Sequence, residues 1–116
     1  QSGMIIGSHS YNHFWLNTLK RKDQLKEINL SLDFLNELGV DSDDWVMCYP
    51  YGAYDSSLIE ILKEKKCKLA FTTQYDIANL NEQNCFNLKR LDTNDFPQED
   101  FSEKNSWTKK VVSLLN

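Results

Sequence analysis

The chain contains two histidines, His9 and His13, four residues apart in the stretch GSHSYNH. Imidazole is the commonest side-chain metal ligand. An i, i+4 pair on a helical turn brings both rings to one face, close enough for one ion to bridge them. The same pair also fits a plainer role, as loop histidines that are solvated or hydrogen-bonded to backbone. A second stretch, YPYG from Tyr49 to Gly52, could act with it. A Pro-Tyr-Gly turn exposes a backbone N–H, and a fixed N–H can stabilise the oxyanion formed when activated water attacks a carbonyl. The plainer reading here is a strand-ending turn with an aromatic lid.

These residues need elements to hold them. GMIIGSHS opens with a short apolar run and reads as a buried strand whose carboxyl end carries the histidines into a loop. From Arg21 to Leu38, the residues Leu25, Ile28, Leu32 and Leu35 draw one apolar stripe down a helix, and Gly39 supplies a left-handed stop. WVMCYP, Trp45 to Pro50, reads as a second buried strand. Asp55 is placed to cap the next helix, SSLIEILKEKK, which sets Leu58, Ile61 and Leu62 on one face. A third strand is expected over Lys68–Thr73 and a fourth over Cys85–Asp92. A short amphipathic helix is expected from about Ser106 to Leu115, after an acidic, turn-rich segment. Strands alternating with helices in this way build βαβ units and a parallel sheet. In such sheets ligands gather at the carboxyl ends of the strands, the rim where both motifs fall.

The length of 116 residues allows one domain or part of one. A composition 41% hydrophobic and 26% charged argues for a packed chain over extended disorder. The formal charge of -4, with scattered lysines and arginines, leaves no basic stripe for nucleic acid. Apolar runs such as LAF and MII fall far short of the roughly 18 residues of a membrane span. Cys48, Cys67 and Cys85 are odd in number and lack CxxC spacing, so they read as unpaired thiols. The chain begins with Gln1 and enters a strand-like run at once, as an interior piece of a longer protein would.

GMIIGSHSYNH and CYPYGAYD, in this order and spacing, resemble the second and third motifs of the polysaccharide deacetylases, carbohydrate esterase family four, also called the NodB homology domain. ILKEKKCKLAFTTQYD and FNLKRLDTNDFP extend the resemblance, which runs from about Gly3 to Pro97. It implies a partial, distorted (β/α) barrel of about four parallel strands over residues 1–97, followed by a C-terminal segment over 98–116. It also implies a hydrolase that removes acetyl groups from N-acetylated polysaccharide or sugar, with zinc or another divalent metal as cofactor. By motif position His9 and His13 would ligate the metal, and the Tyr51 N–H would be the oxyanion donor. Pro50, Tyr51 and Arg90 would contact substrate, and family habit suggests the cell envelope.

The departures from the family pattern are specific. The family's third ligand and its base are adjacent aspartates in a TFDDG-like motif upstream of the histidines, but only six residues precede Gly7 here and none is acidic. Asp43 and Asp44 precede the strand that leads to Tyr51, which puts them on the opposite rim as a solvated turn. Cys48 stands where many members carry arginine, and no third histidine is present to serve as general acid; Arg90 and Asp92, at the end of the closing strand, are candidates for an ordering or electrostatic role or for a structural salt bridge. Lys66 replaces a helix-ending glycine. The chain alone is therefore expected to be inactive, to bind zinc weakly and to be marginal, aggregation-prone or dimeric. The alternative is a non-catalytic carbohydrate-binding remnant of the same fold, in which Tyr51, Tyr54 and Trp15 near the rim would stack on sugar rings.

Overall fold

The computed structural model describes residues 3–80 and 85–95, together with Ser106, Lys109, Lys110 and Ser113. After a 3-10 turn at Leu16–Thr18, helix α1 spans Arg21–Glu37 and strand β1 spans Trp45–Cys48. Helix α2 covers Ser56–Glu64, strand β2 Cys67–Tyr75 and strand β3 Leu88–Arg90. The sheet order is β1-β2-β3, and both pairings are parallel. The expected βαβ unit is β1-α2-β2.

The helices form for the reasons their sequences supply. In α1, Ile28 and Leu35 are fully buried, and Leu25 and Leu32 pack half-buried against the same core. Gly39 takes φ +82, the left-handed conformation that ends the helix without a Cβ penalty. In α2, the Asp55 carboxylate accepts a hydrogen bond of 2.8 Å from the Leu58 N–H and satisfies a donor that the first helical turn leaves open. Leu58, Ile61 and Leu62 are wholly buried against Trp45, Met47, Tyr49 and Ala70. Each such side chain is worth about 1.5–3 kcal/mol of transfer free energy. Lys66 stands in the left-handed region at φ 61, where the sequence led us to expect a glycine.

Two expectations need correction. The run Met4–Ile6 is not a buried strand: Met4 is 80% exposed and Ile5 88%. Its contact with the sheet is one parallel bridge, Ser8 to Met47, made by Ser8 N–H to the Val46 carbonyl at 2.8 Å and Cys48 N–H to the Ser8 carbonyl at 2.9 Å. The three strands plus this bridge stand where about four strands were expected. The last strand is also shorter than Cys85–Asp92. Its regular pairing covers Leu88–Arg90 and contains a register irregularity between Phe71 and Tyr75, while the Ala70 N–H also donates to the Cys85 carbonyl at 2.8 Å. The boundary expected at Pro97 and most of the expected helix near the C-terminus lie outside the described residues, although Ser106, Lys109, Lys110 and Ser113 are helical.

Asp43 and Asp44 lie in the turn at the amino end of β1, as read from the sequence. The Asp44 N–H donates to the Asp41 carbonyl, and Asp43 pairs with Lys66 at 2.9 Å. The thiols are free: Cys67 is buried, and Cys48 and Cys85 are half-buried. No helix among the described residues is long and apolar enough to cross a membrane.

Candidate functional site

The segment that bears the histidines is held at the free edge of β1. Gly7 is required there by close approach, since a Cβ would fall 2.7 Å from Val46 Cγ2 and 3.0 Å from the Val46 carbonyl oxygen. Beyond the Ser8 bridge the chain turns through two left-handed residues, Ser10 at φ 63 and His13 at φ 59. The histidines are therefore on an irregular loop and not on a helical turn. This corrects the way they were expected to meet, because a loop anchored from the side does the work assigned to helical spacing.

The two rings do meet. Their centroids lie 4.7 Å apart at an interplanar angle of 67°. His9 Nδ1 lies 2.7 Å from the Cys48 carbonyl oxygen at the carboxyl end of β1. A carbonyl can only accept, so Nδ1 carries the proton and Nε2 keeps its lone pair in the neutral ring. A backbone carbonyl fixing one nitrogen while the other is available is the usual arrangement of a metal-ligating histidine. The donor set of His9 and His13 thus fits a divalent cation as two of its ligands. Among the described residues, no cluster of three His, Cys, Asp or Glu residues completes such a site.

Tyr51 adjoins the pair. Its ring lies edge-on to His13 at 4.7 Å and stacks face to face on Trp15 at 4.3 Å with planes 4° apart. The backbone below is a tight turn, with Gly52 N–H to the Tyr49 carbonyl at 2.9 Å and Ala53 N–H to the Pro50 carbonyl at 3.0 Å. Tyr51 itself is left-handed at φ 58, ψ 11. No described residue accepts a hydrogen bond from its N–H, so that donor remains for a ligand.

The other expected residues fall elsewhere. Pro50 is buried beneath the turn and shapes its backbone. Arg90 lies on β3 and donates from Nε to the Thr72 carbonyl at 3.0 Å. Its described contacts do not include the His9–His13–Tyr51 cluster. The Asp92 carboxylate accepts from the Asn94 N–H at 3.0 Å and the Asn94 side-chain amide at 2.8 Å. Tyr54 is half-buried and stacked on Tyr49.

Glu27 was not found from the sequence, and Trp15 and Tyr51, both expected near the rim, were not expected to stack on each other. The Glu27 carboxylate accepts from the Ser10 hydroxyl at 2.8 Å, the Asn12 N–H at 2.8 Å and the Asn12 amide at 2.6 Å. Burial pushes its pKa up. The bonds from the Asn12 backbone and amide, from Ser10 and from the Tyr11 backbone outweigh that and hold it below the ordinary 4.5. One signal was present: Gln24, Glu27 and Ser31 recur at spacings of three and four beside the apolar stripe. Two cavities among the described residues do not contain the pair. One of about 290 Å³ lies toward the amino end of β1 beside Asp43 and Lys66, and one of about 380 Å³ is lined by Asn12, Phe14 and Glu27.

The family model for polysaccharide deacetylases matches residues 1–70. No curated protein matches the chain. Among solved structures, the chain is similar to the Streptococcus pyogenes deacetylase PplD in complex with acetate, with 22% identity and a TM-score of 0.70. That match covers 95% of this chain and 44% of the other, so the chain spans less than half the length of that relative. At that identity the likeness establishes the fold, a partial barrel with a parallel sheet and flanking helices. The match over residues 1–70, which hold both histidines and the Tyr51 turn, supplies the family: the chain belongs to the polysaccharide deacetylases.

Proposed function

We propose that this chain supplies part of the active site of a metal-dependent deacetylase acting on N-acetylated polysaccharide. The observation that carries the reading is the His9 Nδ1 bond to the Cys48 carbonyl at 2.7 Å, which leaves Nε2 available beside the His13 ring. Two imidazoles at the carboxyl end of a parallel strand, next to an uncommitted backbone N–H, suit hydrolysis of an acyl group.

His9 and His13 would hold the ion, zinc by preference for nitrogen donors. When bound, it supplies the Lewis acidity that makes water a nucleophile near neutral pH. The chain's own residues do the rest. The Tyr51 N–H donates to the carbonyl oxygen of the acetamide as negative charge builds there. Hydrolysis adds water across the C–N bond, releasing acetate and a sugar amine. The exposed Trp15 and Tyr51 rings offer apolar faces on which a sugar ring can lie. Since no third ligand joins the histidines among the described residues, the 116 residues alone are expected to bind zinc weakly and to be inactive.

Acetate release from N-acetylglucosamine oligomers by the full-length protein tests the reading. His13→Ala is expected to lower the rate on the order of 100-fold or more. Equal rates in wild type and variant would defeat it. The exposed aromatic stack favours one second reading, a carbohydrate-binding remnant without chemistry. Oligosaccharide binding that survives chelation, together with no acetate release by the full-length protein, would select that alternative.

A further inference from the structure

Helix α1 presents a second stripe beside its apolar one. Gln24, Glu27 and Ser31 face inward and are 0%, 4% and 6% exposed. Each grips the histidine-bearing segment at a different point. Ser31 Oγ shares a hydrogen bond of 2.7 Å with Ser8 Oγ, and Gln24 Nε2 donates to the Leu16 carbonyl at 3.0 Å. Between them, the Glu27 carboxylate accepts hydrogen bonds from Ser10 and Asn12, residues lying between His9 and His13. A buried carboxylate is costly unless fully hydrogen-bonded, and no described cation forms an ion pair with this one. The loop it holds contains two non-glycine residues in the left-handed region, a conformation that persists only where the surroundings over-determine it.

We propose that Glu27 is the positioning residue of the imidazole pair: its carboxylate fixes the Ser10–Asn12 turn so that the His9 and His13 rings converge and His9 Nδ1 reaches the Cys48 carbonyl. None of the Glu27 hydrogen bonds goes to either ring, so it acts on the ligands through the loop. The consequence for metal affinity rests on the deacetylase reading above, whereas the effect on the loop does not.

The test uses the full-length protein and three forms of it: wild type, Glu27→Gln, and the exchange pair Glu27→Gln with Asn12→Asp. The single change sets an amide against the Asn12 amide. The exchange returns one amide donor and one carboxylate acceptor to the same two positions, and leaves the glutamine carbonyl for Ser10 and the backbone N–H. Nitrogen-15 correlation spectra of the imidazoles without metal read the His9 tautomer, and calorimetry reads zinc binding. Wild type is expected to hold His9 with Nδ1 protonated. Glu27→Gln is expected to average the tautomers and to lower zinc affinity about tenfold or more, and the exchange pair to restore both. A folded Glu27→Gln protein that keeps the wild-type tautomer and zinc affinity would overturn the proposal. Should the single variant not fold, the exchange pair decides: the native His9 tautomer supports the proposal, and an averaged one overturns it. Wild-type protein that binds no zinc, with the tautomer responding as expected, would remove the metal reading and leave the positioning role standing.

Discussion

His9 and Glu27 divide one task between them: the first has a nitrogen suited to a cation, and the second keeps the loop from relaxing. The balance at Glu27 predicts a pH dependence. Its folded-state pKa lies below the ordinary 4.5 because hydrogen bonds outweigh burial, so the unfolded chain binds more protons in that range. Stability therefore rises with pH there, is fully present above the ordinary value and is lost as pH falls through the folded value. Denaturant midpoints measured on acidification should fall more steeply for wild type than for Glu27→Gln, which cannot ionise at that position. Parallel profiles would show that the carboxylate adds nothing to folding. Cys67 gives a second prediction at this scale. Burial pushes its thiol up to about 12, so almost no thiolate exists near neutral pH. Iodoacetamide should label the half-buried Cys48 and Cys85 in native protein and reach Cys67 only on unfolding.

Among the elements, the link from β1 into α2 carries the largest local constraints. Gly52 sits at φ +67, and a Cβ there would fall onto the Thr73 hydroxyl and within 2.9 Å of the Thr73 nitrogen. Gly52→Ala should destabilise by more than about 1 kcal/mol, since both the backbone conformation and the packing against β2 oppose it. The change should also disturb Tyr51, which a loss of the Trp15 fluorescence signature of stacking would report. Asp55 serves two elements, capping α2 through Leu58 and accepting from Gln24 Nε2 at 3.1 Å. Asp55→Ala should cost about 1–2 kcal/mol, read as a shift in the denaturant midpoint at unchanged slope. Both positions were legible in the sequence, Asp55 as a cap and Gly52 as part of the turn. The contact of Gly52 with Thr73 was not, because it joins residues twenty-one apart across the sheet.

At the scale of the whole molecule, the exposed apolar residues set behaviour in solution. Met4 and Ile5 lie open on the segment before the Ser8 bridge, and Phe14 and Trp15 are about half exposed beyond the histidine loop. Large apolar side chains crowded into one short segment favour association in water. The 116 residues expressed alone should self-associate with rising concentration in sedimentation experiments, and Ile5→Ser should weaken that association. A monomer throughout the accessible range would show that water tolerates this surface.

What the sequence by itself determined was local or carried by a motif. The apolar periods of α1 and α2, the Asp55 cap, the stop at Gly39, the left-handed Lys66 and the order β1-α2-β2 follow from neighbours within a few residues. The histidine pair and the Tyr51 turn were legible because their residue types and spacing are themselves the signal. Tertiary structure alone decided the rest, because each remaining feature depends on a partner distant in the chain. Met4–Ile6 reads as a strand, yet its hydrogen bonds to β1 begin only at Ser8. Pro50 reads as the end of a strand, and only the packed core shows it buried beneath the Tyr51 turn. Glu27 reads as one more solvated glutamate. Only the packing of α1 against the histidine loop, fifteen residues upstream at Asn12, turns it into the anchor of the site.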